Sequence, residues 1–400
     1  MSNPSFITRA VLKNYKSIAA CDVQLQPLMF LVGPNGSGKS NFLDALRFTA
    51  DGLRHSLDHA LRERGGIGEV RRRSGGHPTH FGVRFEFQLR DGSTGHYAFR
   101  VGARPEGGYE VQTEECAVRN VRALTPEIKF AVTRGKVRTN ASATPAASID
   151  RLYLVNASGT PEFRPVYDAF SKMGFYNLNP DRIRELQSPD AGELLARDGH
   201  NMASVLAQLE RSSPEGKRVI EEYLSKVVPG VHGVDAKAIG PTQTLEFRQR
   251  VAGSKDPWRF LAANMSDGTL RALGVLIALF QSANGAGTVP LVGIEEPEAA
   301  LHPFAAGVLL DSLRDASERT QVLVTSHSGD LLDDERISTE SILAVYAEEG
   351  LTQIAPLDEA GRSALRQRLY TAGELLRQNQ LRPDPGALPK QPRLFDEADA

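Results

Sequence analysis

The stretch FLVGPNGSGKSNFLDAL, Phe30 to Leu46, decides how this sequence is read. It contains the pattern G-x-x-x-x-G-K-S, preceded by LMFLV, apolar enough for a buried strand, and continued by SNFLDALRF, whose apolar residues recur at helical spacing. Gly33, Gly36 and Gly38 tolerate positive φ and carry no side chain, so successive backbone N–H groups can converge on phosphate oxygens. The positive end of the following helix adds to that attraction. Lys39 can reach β- and γ-phosphates as a point charge, and the Ser40 hydroxyl suits a Mg²⁺ ion. A strand, a glycine-rich loop and a helix in this order predict an α/β P-loop NTPase fold.

Outward from the loop, FITRAVLKNY and CDVQLQP on the N-terminal side, and HFGVRFEFQLR and HYAFRVGA on the C-terminal side, alternate as antiparallel strands do. Residues 1–124 are therefore expected to form the N-terminal part of a nucleotide-binding head. From 125 to 228 the character changes to a hairpin, KFAVTRGKVRT, a flexible NASATPAAS and helices such as NMASVLAQLERS and PEGKRVIEEYLSKVV, which predict an inserted, mainly helical subdomain. Residues 229–380 return to alternating strands and helices, a βαβ pattern that completes the head. The proline-rich segment 381–400 is expected to be disordered.

Three later motifs narrow the chemistry. VPLVGIEEPEAALHP, Val289 to Pro303, is an apolar strand that ends in two carboxylates. Neighbouring side chains on a strand point to opposite faces, so Glu295 and Glu296 can take different tasks, one at the Mg²⁺ shell and one orienting and deprotonating water. In NMSDGTLRAL, Ser266 is expected to cap a helix and Gly268 to allow close approach of an anion. In VLVTSHSGDLL, His327 follows a buried strand, placed to hydrogen-bond a γ-phosphate.

Bulk composition excludes little. The 400-residue chain has 47 basic and 49 acidic residues, a net charge of −2, so attraction to nucleic acid or an anionic membrane would have to come from a local patch. Cys21 and Cys116 form no C-x-x-C pair, which suggests neither zinc nor a disulfide framework, and a reducing cytosol is the simple reading. MSNPSFITRAVLKNYKSI lacks the apolar core of a signal peptide, and ALGVLIALF is too short to cross a bilayer, so no membrane contact is expected.

Taken in order, these motifs resemble the ATP-binding-cassette (ABC) ATPase heads of the RecF, SMC and OLD class, the small stand-alone bacterial "AAA family ATPases". GPNGSGKS is similar to Walker A, MSDGTLR to the signature motif, LVGIEEPE to Walker B with its catalytic glutamate, AALHP to the D-loop and VTSH to the histidine switch. The resemblance implies an ABC-ATPase-like head with an antiparallel β lobe and an inserted helical subdomain. It implies ATP and Mg²⁺ as cofactors, with Gly33, Asn35, Gly36, Ser37, Gly38, Lys39, Ser40 and Asn41 around the nucleotide. It also makes Ser40 and Glu295 the metal ligands, Glu295 replacing the usual aspartate, and Glu296, His327 and Lys39 the catalytic groups. Ser266 and Gly268 would act in trans, because heads of this class sandwich two nucleotides between two protomers. The class's glutamine loop has two candidates, Gln112 and Gln187.

The resemblance favours a slowly hydrolysing, ATP-gated homodimeric switch in DNA maintenance or phage defence. The alternatives are a transporter subunit and an ATPase that regulates a separate nuclease or toxin effector. The divergent signature and EAALHP argue against a transporter, and the segment after His327 leaves little room for a nuclease domain. For DNA the candidates are Arg62, Arg64, Arg71, Arg72 and Arg73, interleaved with Glu63 and Glu69. Gln391, Leu394 and Phe395 form Q-x-x-L-F, which resembles the peptide by which replication proteins dock on the sliding clamp; folding back onto the head is the competing expectation.

Overall fold

Strand alternation and one long amphipathic helix build the first of two compact units, Met1–Met173 with Ser338–Tyr370 and Leu375–Ala400. The structure, a computed structural model, describes residues 6–73, 78–120, 126–281, 289–302 and 304–396. In this unit the strands are β1 (Ile7–Tyr15), β2 (Ile18–Gln24), β3 (Leu28–Val32), β4 (His80–Gln88), β5 (Ser93–Ala103), β6 (Tyr109–Asn120), β7 (Ile128–Thr133) and β8 (Lys136–Thr139). The second unit, Gly174–Ile337 with Thr371–Glu374, holds β9 (Gly174–Tyr176), β10 (Val231–Ile239), β11 (Thr242–Gln249), β12 (Trp258–Leu261), β13 (Leu291–Glu295) and β14 (Gln321–Ser326). β15 (Ile342–Glu348) and β16 (Leu351–Pro356) return to the first unit.

The first unit's strands run in the order β8-β7-β6-β5-β4-β1-β2-β16-β15-β3. From β8 to β2 the neighbours are antiparallel, as the alternation predicts. β15 lies parallel to β3, with Ile342 opposite Phe30, and β16 parallel to β2, with Thr352 opposite Ile18. The inner face of β4 and β5 carries Phe81, Phe85, Phe87, Tyr97 and Phe99, all nearly fully buried. Phe48, from helix Lys39–Arg54, meets Phe81 edge-on at 5.3 Å, and Phe170, from helix Arg164–Ser171, lies 5.5 Å from Tyr97. Aromatic edge contacts of this kind contribute about 0.5–1.5 kcal/mol each beyond area burial. They seat the phosphate-loop helix on the sheet.

In the second unit, β14-β13-β9 are parallel and β10-β11-β12 form a separate antiparallel sheet. The helix Asp267–Phe280 buries every residue from Thr269 onward except Arg271, which accounts for its nearly unbroken apolar sequence. Residues 125–228, expected to form one helical insertion, are instead shared between the units. β7 and β8 extend the first sheet, because KFAVTRGKVRT pairs its alternating strand with β6, and the division between units falls after Met173.

The segment 381–400 also departs from expectation. Residues 381–396 are placed, and Leu394 and Phe395 are buried against Val11 and Ala98 on the outer face of the antiparallel sheet. Gly82 makes this possible: a Cβ there would lie 2.5 Å from Leu394 Cδ1. Arg84 donates to the Leu394 carbonyl at 3.0 Å and pairs with Asp396 at 2.9 Å, while the Arg100 guanidinium lies 5.0 Å from the centre of the Phe395 ring. Composition predicts disorder for a polar, proline-rich segment, but one adjacent apolar pair found a burial site on its own chain. Leu394 and Phe395 are thus covered rather than presented to a sliding clamp. Leu394→Asp, which places a charge in that socket, is expected to free the segment and speed tryptic cleavage after Lys390 severalfold. Equal cleavage of variant and wild type would show that the contact does not hold the segment in place.

Candidate functional site

The first unit carries the phosphate loop. Gly36 and Gly38 adopt φ of 76° and 98°, the left-handed region that glycine enters without strain. Lys39 is buried, and its ammonium donates to the carbonyls of Gly33 and Pro34 at 2.8 and 3.0 Å, which holds the loop curled around the position a phosphate would take. Ser40 is exposed on the first helical turn, where a hydroxyl can join a metal shell. Asn35 and Gly36 are exposed at the tip, and Ser37 is buried behind it. Asn41 points its amide away into the fold, donating to Ser17 Oγ at 2.7 Å. The left-handed glycines, the curled loop and the exposed hydroxyl fit a nucleotide phosphate with its Mg²⁺.

The second unit carries an acid cluster of its own, where β13 ends at Glu295 and the backbone turns sharply. Glu296 has a φ of 47°, unusual for a residue with a side chain, and its N–H is fixed by the Thr325 carbonyl at 3.0 Å. This turn brings the Glu296 carboxylate to 2.9 Å from His327 Nδ1, just past the end of β14. Glu295 points elsewhere and pairs with Arg197 at 2.9 Å. The two consecutive carboxylates therefore have different partners: one has an imidazole to orient it, the other a guanidinium to neutralise it. Sequence reading passed over a third acid, Glu298. Its Oε1 accepts from Ser326 Oγ, its Oε2 is buried without a partner among the described residues, and burial pushes its carboxyl above the usual range. The repeated acid in EEPE is the signal that could have found it.

Ser266 caps the helix Asp267–Phe280, accepting from the Thr269 N–H at 3.3 Å, and both Ser266 and Asp267 are exposed. Arg184 supports this turn by donating to the Met265 carbonyl and pairing with Asp267. Gly268 has a reason beyond approach to an anion: a Cβ there would lie 2.6 Å from the carbonyl oxygen of Ala300 on its own chain. The start of the helix and the AALH segment are thus packed backbone to backbone. Of the glutamine-loop candidates, Gln187 is buried with its amide committed to the Ala203 N–H and the Ile183 carbonyl, and Gln112 packs against Gly102 in the first unit.

The basic cluster does not form one surface. Arg64 is buried, binding Asp44 at 3.0 Å and Asp51 at 3.0 Å. Burial alone would raise the Asp44 carboxyl, but Arg64, Lys16 and Arg47 hold it well below the usual range. Arg62 and Arg73 are exposed but matched by Asp58 and Glu69 one turn away, and Arg71 donates to the Pro78 carbonyl. Arg72 is half-buried. The five arginines proposed for DNA are close in sequence, but a buried acid on the phosphate-loop helix draws Arg64 inward.

Comparison with known structures identifies the fold. A SmcHead bound to the C-winged helix domain of ScpA superposes with a TM-score of 0.57 at 16% identity, over 89% of this chain and 99% of that one. An Smc head domain with an extended coiled coil, in the complex with ScpA derived from Pyrococcus furiosus, gives 0.56 at 14%, over 91% and 99%. The architecture is that of ABC-type P-loop ATPase heads. Residues 28–334 match the family described as "AAA domain, putative AbiEii toxin, Type IV TA system", and the chain belongs to that family. It is also similar to the DNA replication and repair protein RecF of Aliivibrio fischeri (strain MJ11), 38% identical, and of Vibrio vulnificus (strain YJ016), 40% identical. Each match runs over 47 residues, 12% of this chain and 13% of the relative's length. The chain thus carries an AAA domain of that family on a fold similar to SMC heads. Among its described residues no helix is long and apolar enough to cross a membrane.

Proposed function

We propose that the protein is a Mg²⁺-dependent, slowly hydrolysing ATPase whose copies associate head to head on ATP, and that this switch serves DNA maintenance, repair or phage defence. One observation carries the hydrolytic part: Glu296, held in a strained turn, faces His327 at 2.9 Å, the arrangement of a general base with its orienting group. Lys39 and the loop N–H groups bind the phosphates, Glu296 takes the proton of the attacking water, and Ser40 would hold the metal, with Glu295 a second ligand once its pairing with Arg197 opens. Bound Mg²⁺ would supply charge neutralisation at the β- and γ-phosphates. Association rests on the helix that Ser266 caps. Its N-terminus is exposed while nearly all the rest of it is buried, leaving a positive helix end for a phosphate held by a second copy.

The family description favours a second reading of the output, in which the ATPase regulates a separate toxin or nuclease effector. The two readings share the head chemistry and differ in the partner. Head association is tested with the Glu296→Gln protein, which should sediment as a monomer without nucleotide and as a dimer with ATP and Mg²⁺. Adding Ser266→Arg places a bulky cation at the exposed helix end and is expected to abolish the shift. A normal ATP dimer in that double variant would rule out the trans arrangement.

A further inference from the structure

We propose that Thr352 is a positioning residue for the phosphate loop: from the distant β16 strand it aims the Gly38 N–H at the nucleotide. This rests on the reading of the loop as an ATP site. Thr352 follows the β15–β16 turn, and its backbone N–H donates to the Ser17 carbonyl at 3.0 Å. Its hydroxyl donates to the Ser37 carbonyl at 2.9 Å. A hydroxyl has one proton, so in the 2.7 Å contact between Thr352 Oγ1 and Ser17 Oγ it is Ser17 that donates. Ser17 in turn accepts from the Asn41 amide at 2.7 Å. The result is a directed chain, Asn41 to Ser17 to Thr352 to the Ser37 carbonyl, that begins on the first helical turn, ends on the phosphate loop and closes around Gly38.

Peptide geometry gives this chain its consequence. In a planar trans peptide the carbonyl of one residue and the N–H of the next point in opposite directions. Tying the Ser37 carbonyl to Thr352 on the outer side therefore fixes the Gly38 N–H toward the inner side, where the loop cradles phosphate. The same contact requires glycine at 38, because a Cβ there would lie 2.1 Å from Thr352 Oγ1. Gly38 also sits at φ 98°, so releasing the carbonyl lets this peptide rotate at little steric cost. Asn41, expected from resemblance among the nucleotide-binding residues, serves the loop here from behind.

The test compares ATP and ADP affinities and turnover for the wild type, Thr352→Val and Thr352→Ser. Valine keeps the shape and removes the hydroxyl; serine restores it. Thr352→Val is expected to weaken ATP and ADP by the same factor, about tenfold for the loss of an oriented donor, because the Gly38 N–H serves phosphates common to both. Its kcat should stay within about threefold of wild type, since Glu296 and His327 are untouched. Thr352→Ser should bind both nucleotides as the wild type does. Unchanged affinities in Thr352→Val overturn the proposal, and so does a serine variant as weak as the valine one, which would make bulk rather than the hydroxyl the cause. A wild-type protein that binds neither nucleotide would instead defeat the underlying ATP-site reading.

Discussion

Glu296→Gln is expected to bind ATP with near wild-type affinity and to lose at least about a hundredfold in turnover, the usual contribution of a positioned general base. The amide is isosteric and can still accept from His327 Nδ1, so the strained turn at φ 47° and the 2.9 Å contact should survive the substitution. What disappears is the capacity to take a proton from water. The measurement is phosphate release under saturating ATP beside nucleotide binding by fluorescence. Turnover within a factor of a few of wild type would place the base elsewhere, with Glu298 the next carboxylate to test because it is half-buried two residues on and bonded to Ser326.

The second large effect concerns stability. Glu114 is fully buried on β6, and burial pushes its carboxyl up to about 7 even though the N–H groups of Tyr153 and Leu154 and the Tyr97 hydroxyl all donate to it. It ties the start of the helix Tyr153–Ala157 to the antiparallel sheet. Because the folded-state value lies above the ordinary 4.5, the unfolded chain ionises first as pH rises. The contribution is therefore fully present below pH 4.5, falls between 4.5 and 7, and is flat above, for a total of about 3 kcal/mol. Urea titrations of the wild type and Glu114→Gln at pH 5 and pH 8 isolate this term. The wild type should lose about 2–3 kcal/mol more than the variant across that interval. Parallel losses would mean that Glu114 stays ionised in the fold.

How much of this was legible beforehand depended on the range of the interactions. The strand, glycine loop and helix around Lys39 follow from local rules, since backbone conformation, apolar periodicity and phosphate geometry are all satisfied within about twenty residues. The two carboxylates ending β13 were legible as a pair with different tasks, but their partners were not: the left-handed turn at Glu296 and the approach of Arg197 and His327 from elsewhere in the chain decide them. The division into units was not legible, because β7 and β8 pair by alternation with a sheet whose extent no local pattern reveals.

By itself, then, the sequence determined the class of fold, the phosphate loop, the carboxylates and the capped helix at Ser266, because each is written in neighbouring residues. Only the tertiary structure decided the rest. It turned Arg64 from a surface cation into the buried partner of Asp44, seated Leu394 and Phe395 over the notch at Gly82, and brought Ser17 and Thr352 together behind the loop. Each of these depends on residues far apart in the chain meeting at a few ångströms. A buried charge, an apolar pair or an unsatisfied carbonyl in the sequence states that a partner is needed, and which residue supplies it is settled by the packing of the whole chain.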